Sequence, residues 1–217
     1  MKKIFTNGNF IHLFSAIIII ILLTIPAFSQ SIVQTQPGIF YAGIPTDEFE
    51  YFAAPEGEGK QRQSNWCWAA CIQMVLNYHH IRVSQEEIVA RCFGELIDTP
   101  ANAPVIIQAL SGWGITTDGK KAVISASTFV YSGSDIVRDL AFKQPLIVGL
   151  KTDNALGHAC VLTAVSYSVN PYNNEPIFRS AVIRDPSPMS QSRIELPWDI
   201  FYSRLMFLTR IRVMPVN

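Results

Sequence analysis

Gln61-Arg62-Gln63-Ser64-Asn65-Trp66-Cys67-Trp68-Ala69-Ala70 is the stretch on which the reading turns. A polar approach ending in Asn65, a good helix cap, runs into an apolar segment whose spacing predicts a helix over about 66–79, with Cys67, Cys71, Met74 and Tyr78 on one face. That places Cys67 in the first helical turn. Unpaired N–H groups and the positive end of the helix dipole stabilise an anion there, which favours the nucleophilic thiolate. The same N–H groups can hold a developing oxyanion. The plain alternative is a structural thiol packed like a small hydrophobe.

Downstream, Ser84-Gln85-Glu86-Glu87 has capping-box spacing and opens a second helix that Gly94 stops. Further helices are predicted over about 103–112 and from Ser134 to before Pro145. Strands are predicted at about 145–151, 158–168, 177–185 and 205–213, runs rich in β-branched and aromatic residues and broken by turn clusters such as Asn170-Pro171-Tyr172-Asn173-Asn174. Helices followed by strands indicate an α+β fold.

A thiolate nucleophile needs an imidazole within hydrogen-bond reach, and the chain has four histidines. His12 lies in an N-terminal segment read below as a signal peptide. His79 and His80 follow Cys67 on its own helix, about 18 Å away at 1.5 Å per residue. His158 remains, at the start of a strand where a rigid sheet can present it to a cleft. Its second ring nitrogen needs an acceptor that fixes the tautomer. A hairpin centred between Tyr172 and Asn173 sets Asp185 opposite Cys160, on the face of His158. A one-residue slip reverses that face, so Asp153 and Asn154 stay as rivals. Of the other cysteines, Cys71 and Cys92 can face each other across two helices and bridge. A zinc site built from Cys67, Cys71 and a histidine lacks a second close ligand pair, and neither metal nor cofactor is expected.

A glutamine six residues before Cys-Trp-Ala at a helix start, a distant histidine, and Asp185-Pro186 after a strand together resemble the papain-like superfamily. The likeness covers about 61–210 and is similar in particular to bacterial secreted papain-like proteins and bacteriocin-processing peptidase domains. It implies a nucleophile helix packed on a C-terminal antiparallel sheet. It also implies an oxyanion hole made by the Gln61 side chain and the Cys67 N–H, with Gln63 as fallback. Where papain has an orienting asparagine, Asp185 stands here.

Lys2 and Lys3 precede an apolar run from Phe14 to Ile25, and Pro26-Ala27-Phe28-Ser29 follows, the layout of a secretory signal peptide cleaved after Ser29. The run is shorter than the roughly 20 residues that span a bilayer, so no stable membrane association is expected after its removal. Residues 30–60, rich in Pro and Gly, read as an extended lead-in or short pro-segment, and 61–217 as the catalytic domain. With 17 basic and 17 acidic residues and no basic tract, nucleic acid is not an expected partner. The expectation is a secreted or periplasmic cysteine peptidase acting on protein or peptide through Cys67, His158, Asp185 and Gln61. An acyltransferase or transglutaminase-like enzyme with the same triad is the first alternative, and a non-catalytic binding domain the second. Oligomeric state is not legible.

Overall fold

A computed structural model describes residues 31–112, 114–128, 132–152 and 157–215; the expected signal peptide 1–29 and the rivals Asp153 and Asn154 lie outside the described residues. In chain order the elements are β1 (Ile32–Gln36), β2 (Ile39–Gly43), α1 (Thr46–Ala53), a 3₁₀ turn (Pro55–Gly57), α2 (Cys67–Tyr78), α3 (Gln85–Phe93), α4 (Ala103–Leu110), β3 (Ala122–Thr128), α5 (Gly133–Ala141), β4 (Leu146–Lys151), β5 (Gly157–Val169), β6 (Pro176–Arg184), β7 (Arg193–Pro197), α6 (Trp198–Arg204) and β8 (Leu205–Pro215). The fold is α+β, with the nucleophile helix on a curled antiparallel sheet, as expected.

Local chemistry explains several helix ends. Ser84 accepts from the Glu87 N–H while the Glu87 side chain reaches back, a complete capping box, and Gly94 ends α3 at φ 76°, where a β-carbon is disfavoured. Asn102 and Ser132 cap α4 and α5 through Val105 and Asp135. Helix α2 differs from its expected form. Its N-cap is Trp66 rather than Asn65, and no side chain caps it. Asn65 is occupied elsewhere, its N–H donating to Asp98 Oδ1 at 2.8 Å and its side-chain amide to the Asp98 carbonyl. From Trp68 to Leu76 every residue of α2 is buried. A helix buried all round is a core helix, and no amphipathic stripe is needed to place it.

The sheet is organised about β5. One edge of β5 pairs with β4 over 157–162 and then with β2 over 164–167, while the other edge pairs with β6. The path β1-β2-β5-β4-β8-β3 with β6 and β7 branching from β5 accounts for the curl. The lead-in is therefore part of the sheet: β1 and β2 form a hairpin whose inner strand joins β5, and Gly43 passes so close that a β-carbon there would meet Ala164 Cβ at 2.2 Å. On one face of the sheet, Ile147, Ala159, Val161 and Ile211 meet α2, α3 and α4. On the other, Val148, Cys160, Leu162 and Leu208 meet Ile136 and Leu140 of α5 and Phe201 of α6.

The β5–β6 ladder is interrupted twice. Leu162 pairs with Ile183 but Ala164 with Val182, so Thr163 is extra; Ser166 pairs with Ser180 but Tyr167 with Phe178, so Arg179 is extra. One bulge on each strand cancels the other. Side-chain facing switches with them: Cys160 and Leu162 share a core with Val165 and Tyr167, and Ile183 and Ala181 with Phe178.

All four cysteines are free. The Cys71–Cys92 bridge does not form: Cys71 is fully buried on α2, whereas Cys92 is half-buried on α3 and packs from the rim of the same core. Among the described residues no helix is long and apolar enough to cross a membrane.

Candidate active site

Cys67 is the first residue of α2 and stands at the uncapped turn, half-buried, with its Sγ accepting from the Ala159 N–H at 3.5 Å. Its position is held from the side by two buried tryptophans. Trp66 Nε1 donates to the Ile97 carbonyl at 2.8 Å and Trp68 Nε1 to the Thr99 carbonyl at 3.1 Å. These bonds dock the loop ahead of α4 against the start of α2. Cys67 and His158 share a cavity of about 410 Å³ walled on one side by Ala101 and on the other by Gly149, Met206 and Phe207. The Phe207 ring lies over Gly149, where a β-carbon would meet it at 2.2 Å. A larger cavity, about 800 Å³, lies at the far end of α2 around His79 and Lys143 and holds none of the candidate site residues.

His158, at the start of β5, engages Asp185 Oδ1 through Nε2 at 2.7 Å. That leaves Nδ1 for the cysteine side. Asp185 follows the last residue of β6, and because Val161 pairs with Arg184, the next step of the ladder brings Asp185 beside Cys160. Its Oδ1 also accepts the Ser187 N–H at 2.8 Å, and its own N–H donates to the Ser192 carbonyl at 2.9 Å. Burial pushes the carboxyl up, but the hydrogen bonds from His158 and Ser187 outweigh it and hold Asp185 below its ordinary value. For His158, burial works against the charged form; the hydrogen bond to the Asp185 carboxylate, with the nearby Cys160 and Cys67 thiols, reverses that and pushes the imidazole up to about 12. The imidazolium is the favoured state.

Two further thiols stand near. Burial pushes both Cys71 and Cys160 up, so they stay neutral. His158, Cys160 and Asp185 bring one donor atom each within 4.8 Å of one another. Nε2 is already committed to Asp185, so the set reads as a hydrogen-bonded dyad with a thiol beneath it. Sequence reasoning did not single out Cys160 as a contact of the imidazole, although its spacing of two from His158 on a strand puts both on one face.

Gln61 is engaged within its own loop. Its Nε2 donates to the carbonyls of Gln63 and Ser64, both at 2.9 Å, and its Oε1 is buried without a hydrogen-bond partner. Both amide hydrogens are thus spent on shaping the turn that presents Cys67. Gln63 is exposed and contributes its carbonyl to that turn.

A family model described as papain-like cysteine protease AvrRpt2 matches residues 54–205, well over half of the chain, and the chain belongs to this papain-like cysteine protease family. Among solved structures, the peptidase domain of Streptococcus ComA, a bifunctional ABC transporter of a quorum-sensing pathway, is 16% identical with a TM-score of 0.51, over 72% of this chain and 96% of that one. A double-glycine-motif protease from an AMS/PCAT transporter, in complex with its leader peptide, is 19% identical at a TM-score of 0.46, over 72% and 89%. Procathepsin B from Trypanosoma congolense is 10% identical at 0.49, over 76% of each chain. At such identities the ComA likeness speaks to the fold alone. No curated protein matches the chain significantly.

Proposed function

We propose that this chain is an exported peptidase that hydrolyses peptide bonds through Cys67, His158 and Asp185. The observation that carries the reading is the imidazole of His158, tied to Asp185 Oδ1 at 2.7 Å and lining one cavity with Cys67 at the open turn of α2. The Cys67 thiolate attacks the scissile carbonyl carbon, forming a C–S bond and an oxyanion that the Cys67 N–H accommodates. Collapse breaks the C–N bond as His158 Nδ1–H gives its proton to the leaving amine. Water, deprotonated by the now neutral imidazole, then attacks the thioester, and the thiolate leaves. Asp185 keeps Nε2–H engaged throughout and stabilises the imidazolium. Gln61 serves as a second oxyanion donor by exchanging one of its loop carbonyls for substrate, a contact that tightens only in the complex. The signal-peptide layout of 1–29 supports export.

The test is a digest of a peptide library by the wild type and by Cys67→Ala, with Cys67 mapped after reaction with a peptide electrophile. Cleavage by the wild type, with products heavier by one water, and none by a folded Cys67→Ala is expected. Full cleavage by Cys67→Ala ends this reading, and products that join two substrates replace hydrolysis with acyl transfer.

A further inference from the structure

We infer that Lys60 is a positioning residue of this centre, setting the Asp185 carboxylate against His158 by gathering the Asp185 loop around its ammonium; the inference rests on the triad reading above. Lys60 Nζ donates to three carbonyls of one short loop: Asp185 at 3.0 Å, Ser187 at 2.9 Å and Ser190 at 3.0 Å. An ammonium has three donors, and all three converge on that loop. The next residue adds a fourth tie, the Gln61 N–H to the Pro186 carbonyl at 2.8 Å. Inside the loop so held, the Ser187 N–H meets the same Asp185 Oδ1 that His158 uses. Where Lys60 stands therefore decides where the carboxylate stands.

Lys60 is itself referenced to the nucleophile helix. Its carbonyl accepts from Gln85 Nε2 at 2.9 Å, and the same nitrogen reaches Gln73 Oε1 of α2 at 3.0 Å. Gln73 and Gln85 are buried, at 1% and 0% exposure, so this polar connection is shielded from water. Gln85 Oε1 completes it by accepting the Arg62 N–H at 3.0 Å. One lysine thus links the helix that carries Cys67 to the loop that carries Asp185. Burial lowers the ammonium's affinity for its proton, and Asp185, Glu50 and Cys160 raise it in part. An arginine does not substitute, because a planar fork presents its donors in one plane, whereas these three carbonyls surround a point charge.

The experiment is a double-mutant cycle of Lys60→Met and Asp185→Asn on peptide hydrolysis, joined to an NMR titration of the His158 imidazole. Lys60→Met is expected to lower kcat by roughly 10–100-fold with KM within about twofold, and to let His158 lose its proton at lower pH. On the Asp185→Asn background it is expected to change kcat by less than about twofold, since its effect passes through Asp185. Additive losses, or an unmoved His158 titration in a folded Lys60→Met protein, overturn the inference. Should Lys60→Met fail to fold, Lys60→Arg decides: a lowered His158 titration supports it and a wild-type titration overturns it. The titration needs no substrate, so it separates failure of this link from failure of the peptidase reading, which the Cys67→Ala digest tests alone.

Discussion

Cys67 is set apart from the other three thiols by where it stands rather than by what it is. It alone lines the cavity with His158, while Cys71 and Cys160 are buried and kept neutral. The charge of the site rests on His158 and Asp185, and replacing Asp185 by Asn keeps an acceptor but removes the negative charge that sustains the imidazolium. That change is expected to reduce kcat by about 10²-fold and to move the alkaline limb of the rate profile to lower pH, measured as kcat against pH for the two proteins. Gln61→Ala separates two roles. Loss of an oxyanion donor lowers kcat by roughly 10²–10³-fold with the melting temperature nearly kept; loss of only the turn contacts lowers the melting temperature and spares kcat. His158 was legible by elimination because the chain has so few histidines. The Gln61 contacts were not, since a motif gives a residue's address and not the direction of its amide.

At the level of elements, the predicted helices were the ones with local signals, and α3 shows why. Its capping box and terminal glycine lie within the sequence of the helix itself, and Ser84→Ala is expected to cost about 1 kcal/mol, read from denaturant midpoints. Helix α2 draws its stability from burial instead. Trp68→Ala removes a side chain that is 1% exposed and also frees the Thr99 carbonyl, so a loss of about 3–5 kcal/mol is expected in the same measurement. Helix α1 escaped prediction because only Phe49 and Ala53 on it are buried, and β1 because all five of its residues are exposed. Strand β1 is placed by pairing with β2 and helix α1 by packing on α2, and neither leaves a periodic pattern. The four predicted strands all contain residues of the buried sheet, which is where hydrophobic runs are densest.

Across the whole molecule, two histidines at opposite ends of α2 respond to pH with opposite signs. His158 has its pKa raised to about 12, so the stability it contributes is full below its unfolded value of about 6.5 and is lost as pH rises through about 12. His79 is lowered to about 4 by burial, with His80 adding to the effect, so its contribution is full above about 6.5 and is lost as pH falls through about 4. Asp185, also lowered, adds to the acid loss further down. Denaturant unfolding at a series of pH values is expected to show an acid limb on the order of 2–3 kcal/mol that His79→Leu flattens while leaving the alkaline limb in place. The hairpin that joins His158 to Asp185 has its own molecule-wide consequence. In the idiom of the genetic code it carries a frameshift at Thr163 and its suppressor at Arg179. Deleting either codon alone is expected to throw Asp185 out of step with His158 and silence the enzyme, whereas deleting both restores the frame and with it cleavage. Single-residue insertions or deletions in these two strands are therefore tolerated only in matched pairs.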